Sequence, residues 1–216
     1  FSVESLNAAE GEGHAMRGRQ FGELQELLQT MDSAVVDIGA SNVEELLDLM
    51  QKYQGSHEDF DAFVVPTVPA LKQQQDTIAT LVELARLGVS RSRVRLVFNM
   101  VSSAADVPAH FDLVRAFLKV QPVATENVDC YLGPNEVYGR IRGSNADLAT
   151  LARDDTDYKA LIVKTKGTAE RLALAQKLAT RRLASGVVPE LDACFAALGL
   201  GESAAGNVVP LARQAQ

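Results

Sequence analysis

Residues 1–7, FSVESLN, alternate apolar and polar positions as a half-buried strand does. From Gly18 to Met31 the period lengthens, and Phe21, Leu24, Leu27, Leu28 and Met31 fall on one helical stripe. Ala34-Val35-Val36 is a short continuous apolar run, the pattern of a strand covered on both faces, and it ends on Asp37. Ser41 and Glu44 fit a capping box, with Ser41 at the N-cap, and Val43, Leu46, Leu47 and Met50 repeat behind it at helical spacing. Residues 62–65 read as a second buried strand, stopped by the turn PTVP. The spacing then predicts a helix over 72–87, with Ile78, Leu81, Val82 and Ala85 inside and Gly88 as its stop. Val94 to Phe98 is a strand that ends on Asn99.

Strands alternating with connections of helical length imply parallel pairing through right-handed crossovers. The expected fold is therefore α/β: a doubly wound, mostly parallel sheet with flanking helices. A strand at the extreme N-terminus needs a neighbour on each side, so FSVESLN reads as the edge of something longer. The second half is more helical. Helices are expected over 109–119, 135–142, 168–185 and 189–198, the last ended by Gly199, with one strand over 123–132. Residues 147–152 and 158–163 are ambiguous. One domain over 1–200, helical from about residue 145, and a frayed tail over 201–216 complete the expectation.

Charge changes the picture more than composition does. The chain of 216 residues is 47% hydrophobic, enough for a real core, and carries a net −7. That total argues against a surface coated with nucleic-acid contacts. Residues 159–182 nevertheless hold seven Lys or Arg and one acid, a local +6 that leaves −13 for the remainder. Cys130 and Cys194 belong to no CxxC, and His14, His57 and His110 are scattered, so neither a disulfide framework nor a zinc site is expected. The acids of His57–Asp61 read as a solvated loop, and Asp154, Asp155 and Asp157 as a helix-entry cluster. No apolar run approaches the ~20 residues of a membrane span, and no signal peptide is visible. A reduced, cytoplasmic compartment is the expectation.

In open α/β sheets the ligand lies at the carboxyl ends of the strands. Glu4, Asp37 and Asn99 occupy that rim on this reading. Asp37 suits a carboxylate that holds a magnesium-bound water, and Gly39 would let backbone approach a phosphate oxygen. Asn99 offers a carboxamide that can donate and accept, as reading an adenine edge requires. Glu4 would stand near the same metal or the attacking water. Each residue also has a plainer reading as a turn-former or cap. No G-x-x-x-x-G-K-[ST] occurs in the 216 residues.

The strings SVES, MDSAVVDIGASNVEELL, GSHEDFDAFVVP, KQQQDTI, VRLVFN, NEVY and DDTDY resemble the StbB family of plasmid stabilisation proteins, relatives of the ParA/MinD group of deviant Walker ATPases. The resemblance covers most of residues 1–166. It implies a P-loop NTPase-like fold whose first strand and phosphate loop are missing here, since this chain starts after the position of that loop. It matches Asp37 to the Walker B or switch II aspartate, Glu4 to the acidic switch I position and Asn99 to the base-recognising asparagine. It further implies ATP with Mg2+, weak hydrolysis, a nucleotide-bound homodimer, and work in plasmid partition and conjugation beside a small DNA-binding partner. The implied setting is the bacterial cytoplasm, at the nucleoid or plasmid. In ParA-like proteins late basic helices contact nonspecific DNA, which makes Arg171, Lys177, Arg181 and Arg182 candidate DNA or partner contacts; the alternative is a solvated helix face. Two other functions stand beside this one. One is a nucleotide-independent adaptor that kept the fold. The other is a dinucleotide oxidoreductase with Asp37 on a ribose, which would need an upstream GxGxxG.

Overall fold

The computed structural model of the chain describes residues 18–144 and 146–200. The strand predicted over 1–7, with Glu4, and the tail over 201–216 lie outside the described residues. In chain order the elements are α1 (Gly18–Leu28), α2 (Val43–Lys52), β1 (Phe63–Thr67), α3 (Leu71–Arg86), β2 (Val94–Asn99), α4 (Val107–His110) and α5 (Asp112–Val120). There follow β3 (Tyr131–Leu132), α6 (Val137–Ile141), α7 (Leu148–Arg153), α8 (Tyr158–Lys164) and α9 (Thr168–Leu198). The strands form a small parallel sheet in the order β1-β2-β3, with Phe98 opposite Tyr131 and Asn99 opposite Leu132. A parallel sheet with flanking helices is an α/β arrangement, as the alternating pattern predicts. Among the described residues no helix is long and apolar enough to cross a membrane.

The chain divides into two compact units, and the division falls within β2. The first comprises residues up to Leu96 together with Phe111–Glu126; the second comprises Val97–His110 and everything from Asn127.

In the first unit the front of the α1 stripe is buried, while Leu27 and Leu28 are partly buried and Met31, beyond the end of the helix, is exposed. Phe21 and Leu24 meet Leu46, Leu49 and Met50 of α2, and Val36, Ile38, Phe60 and Phe63 pack around them. Burying each such side chain contributes roughly 1.5–3 kcal/mol. A second, polar set of buried groups sits at the end of β1. Thr77 donates to Thr67 Oγ1 at 3.1 Å, Gln74 Nε2 donates to Pro69 O at 2.8 Å, and Gln74 Oε1 accepts from the Val114 amide at 3.3 Å. These bonds tie β1, α3 and α5 together, so the group is a brace whose polarity is internally satisfied.

In the second unit α9 is the central element, packed by α6, α7 and α8. Val137, Ala184 and Val187 form one cluster with Leu148, Leu151 and Leu191. Val97, Cys130, Cys194 and Leu198 form another, which places the two thiols, 64 positions apart in sequence, in one apolar environment. Both cysteines are free and buried, and burial, then the Glu190 charge, pushes the Cys194 thiol up. Asp147 and Asp157 cap α7 and α8, the two segments that periodicity leaves undecided.

Several elements differ from the pattern. Residues 34–36 are not a strand: Val35 is 80% exposed, while Val36 and Ile38 turn into the first core, so the apolar run is covered on one side only. The capping box does not form. A 3-10 turn over Ala40–Asn42 intervenes, α2 starts at Val43, and no side chain caps it. The strand predicted over 123–132 is cut to a bridge at Thr125 and the pair Tyr131–Leu132, because Asn127 makes a turn between them, its Oδ1 accepting from the Asp129 amide. Phe111, fully buried at φ −124°, breaks the helix over 109–119 into α4 and α5. The reverse happens at Pro189, which lies inside the 31-residue α9 instead of starting a new helix. Its missing N–H forgoes one bond to the carbonyl of Ser185, an exposed residue, and the buried positions Ala184, Val187 and Cys194 on either side hold the helix continuous.

Candidate functional site

Asp37 lies in the first unit, at a single bridge position, and it is exposed. Gly39 follows at φ −60°, ψ 143°, an ordinary extended conformation, so it is not the backbone torsion that calls for glycine here. Its carbonyl accepts from the Asn42 amide at 2.8 Å and closes the 3-10 turn into α2. Asn42 itself is 2% exposed, and its carboxamide oxygen has no hydrogen-bond partner. A buried acceptor without a donor costs about 1–3 kcal/mol, and its natural complement is an N–H or a polarised water. Glu44 and Glu45 occupy the first turn of α2. Their charges complement the positive end of the helix and make this entrance more hospitable to a hydrated cation than to a bare phosphate. Three features thus gather within seven residues, 37–43: an exposed carboxylate, an orphan acceptor and an uncapped helix start.

Asn99 lies in the second unit, at the last position of β2. Its Oδ1 accepts from the Met100 amide at 2.8 Å, and Met100 stands in the left-handed region at φ +64°. The side chain is half-buried. One lone pair of the carboxamide oxygen is therefore committed to its own chain, while the Nδ2 donors have no partner among the described residues. That biases Asn99 towards donating to an acceptor such as a ring nitrogen.

The basic residues of α9 are not equivalent. Arg171, Lys177 and Arg182 are exposed. Arg181 is half-buried, and its Nη1 donates to the carbonyls of Asp154 at 3.0 Å and Thr156 at 2.7 Å. Its guanidinium also lies 5.4 Å from the centre of the Tyr158 ring. The Asp154 carboxylate accepts in turn from Thr156 and, at 2.6 Å, from the Tyr158 hydroxyl. Those hydrogen bonds, with a smaller push from the Arg181 charge, lower the Asp154 carboxyl from the ordinary 3.8 to about 2. Helical geometry separates the cations further. Lys177 and Arg181 are one turn apart on one face, and Arg171 and Arg182 three turns apart on another, about 100° round from Arg181.

No family model, no curated protein and no solved structure matches the chain.

Two groups of residues escape sequence reasoning. Asn42 sits in a polar run (Ser41-Asn42) that reads as cap chemistry, and nothing in the pattern marks it as buried. Arg93 is the other: its guanidinium donates to the carbonyls of His57 and Phe60 and lies over the Phe63 ring, so it clamps the loop that ends at Phe60. A lone arginine ahead of a strand gives no signal for that role.

Proposed function

We propose that this chain belongs to a ParA/MinD-like ATPase of the StbB type, acting in plasmid stability, partition and conjugative transfer as a nucleotide-dependent dimer beside a DNA-binding partner. The resemblance of the strings quoted above supports it, as does a parallel sheet with flanking helices. The observation that carries it is local: the exposed Asp37 carboxylate, followed by a tight turn into an uncapped helix with the unpartnered Asn42 oxygen. In this reading Asp37 holds a water of a Mg2+ ion. Hydrolysis is weak, with Glu4 near the attacking water. Exposed Arg171, Lys177 and Arg182 make the DNA or partner contacts, and Arg181 supports them from beneath.

The reading requires a phosphate cradle, and the 216 residues contain none. Lacking the amides and lysine of such a loop removes several charge-assisted hydrogen bonds, each worth roughly 1.5–3 kcal/mol. A total on the order of 5 kcal/mol weakens ATP binding more than a thousandfold. The test compares Mg-ATP affinity of this chain with that of the same frame extended by roughly forty codons upstream, the size of one strand–loop–helix unit. The extended protein is expected to bind at least a thousandfold more tightly, and Asp37→Asn in it to abolish the Mg2+ dependence. Equal affinities refute the proposal. Upstream codons without a Gly-Lys-Ser/Thr loop favour the second reading, a nucleotide-independent adaptor.

A further inference from the structure

The start of α9 differs from the rest of the helix. From Thr168 to Lys177 no residue is buried; nine are exposed and Leu174 is half-buried. A helix in water is held mainly by packing one of its faces. Here α8 covers one side. Leu174 and the buried Leu178 lie within about 60° of Arg181 round the axis, and Arg181 bonds the carbonyls of Asp154 and Thr156 at the entrance to α8. Leu172 lies about 180° round from Arg181 and is 59% exposed. Ala169, Ala175 and Ala179 fall within about 60° of Leu172, so an apolar stripe runs along the uncovered side. On α8 itself Leu161 and Val163 are exposed as well.

The charge around this stripe is uncompensated. Lys159, Lys164, Lys166, Arg171, Lys177 and Arg182 are exposed, and among the described residues none of them forms an ion pair. Lys72, Arg86, Arg115 and Arg140, by contrast, each meet a carboxylate. The acids on either side of α8 are mostly committed to local groups. Asp157 caps α8, and Asp154 accepts from Thr156 and Tyr158. Glu170 folds back over Gly167, where a Cβ would come within 3.2 Å of its Oε2. That leaves Asp155 against six cations. Arg171 and Arg182 border the stripe, about 80–100° to one side of Leu172.

We infer that the uncovered side of α9 is a docking surface for an acidic amphipathic helix of a partner protein. Leucines of that helix cover Leu172 and lie over the alanines, whose small side chains let two backbones approach. Its carboxylates meet Arg171 and Arg182. Duplex DNA would satisfy the cations and leave Leu172 in water. An anionic membrane needs more apolar area than one leucine among alanines supplies. A second copy of the same face would set cation against cation. The inference rests on the reading above in taking this face as the partner contact, names the chemistry of that partner, and makes no use of the nucleotide site.

The test is a titration of the 15N-labelled full chain with a 21-residue helical peptide that carries leucine at positions a and d of each heptad and glutamate at e and g. A second peptide of the same composition has its leucines spread round the helix. The first is expected to give saturating shifts at the Ala169, Leu172, Ala175 and Ala179 amides, with a dissociation constant on the order of 10 μM. Leu172→Glu and the double variant Arg171→Glu/Arg182→Glu should each weaken binding about tenfold, and added salt should weaken it without abolishing it. Absence of binding, equal binding of the second peptide, or affinity unchanged in either variant overturns the inference. So does tighter binding of a short DNA duplex or of phosphatidylglycerol vesicles through the same residues, or a dimer of the chain alone that Leu172→Glu dissociates. A native-like amide spectrum of each variant separates lost binding from lost folding. Because the titration needs no Mg-ATP, its failure leaves the ATP-affinity comparison standing, and failure of that comparison leaves this surface intact.

Discussion

Replacing Arg181 by alanine separates a structural arginine from a surface one on the same helix. The substitution removes two hydrogen bonds from a charged donor to the carbonyls of Asp154 and Thr156, at 3.0 and 2.7 Å, and a guanidinium 5.4 Å from the Tyr158 ring. Bonds from charged groups contribute roughly 1.5–3 kcal/mol, and a half-exposed cation–π contact about 0.5–1 kcal/mol. Water reaches the two carbonyls once the side chain is gone and recovers part of this, so a loss of about 3 kcal/mol is expected. With a urea dependence of about 2 kcal/mol per molar, the midpoint falls by about 1.5 M. Arg182→Ala, one residue on and exposed, should change stability by less than about 0.5 kcal/mol. Arg181→Lys should lie between, because it keeps the charge and loses the fork. The assay is urea unfolding followed by far-ultraviolet circular dichroism, since the chain has no tryptophan. Hydrogen exchange at the Ala160 and Leu161 amides reports whether the segment from Asp154 to α8 opens first. Equal midpoints for the Arg181 and Arg182 variants would refute the reasoning. The result also governs how the DNA proposal is tested: charge reversal at Arg181 confounds contact with stability, whereas Arg171, Lys177 and Arg182 can be reversed cleanly.

Other outcomes follow from the same geometry. Because hydrogen bonds hold the folded-state Asp154 carboxyl near 2 against an ordinary 3.8, its contribution is complete above about pH 4 and disappears as the pH falls towards 2. Asp154→Asn should therefore flatten the acid limb of a thermal-midpoint profile in that window, and an unchanged limb would contradict the assignment. Met100→Gly relieves a left-handed residue at φ +64° whose side chain is 54% exposed. Strain of about 1–2 kcal/mol set against a glycine entropy cost of about 0.5–1 kcal/mol leaves a net gain of about 0.5–1 kcal/mol, read as a rise in thermal midpoint of a few degrees. A fall in midpoint would show that the Asn99–Met100 turn is not strained.

Helical periodicity carried most of what the sequence disclosed. The stripes of α1 and α2 are legible because one face of each meets the first core and the rest meets water; in α3 the buried positions are Gln74, Thr77, Leu81 and Leu84, so of the expected face only Leu81 is buried and Ala85 is exposed. Periodicity fails where burial does not follow hydrophobicity. Val35 is apolar and exposed, whereas Thr67, Gln74 and Thr77 are polar and buried, Thr67 and Thr77 relieved by each other and Gln74 by Pro69 and by the Val114 amide forty residues on. Pro189 misleads for the same reason, since packing along α9 outweighs one forgone bond. Asn99 stands out because β2 ends on it, and Asp37 because an apolar run precedes it. Asn42 does not, because an unsatisfied polar atom is a property of three-dimensional burial alone.

The boundary inside β2 has a bearing on how the gene can be dissected. The chain passes between its two units at 96/97, 110/111 and 126/127. Neither unit is a contiguous stretch of codons, so no single truncation isolates one of them, and a break at the first crossing would sever a strand. Recombination could not shuffle either half as a cassette, and the two are inherited, translated and lost together.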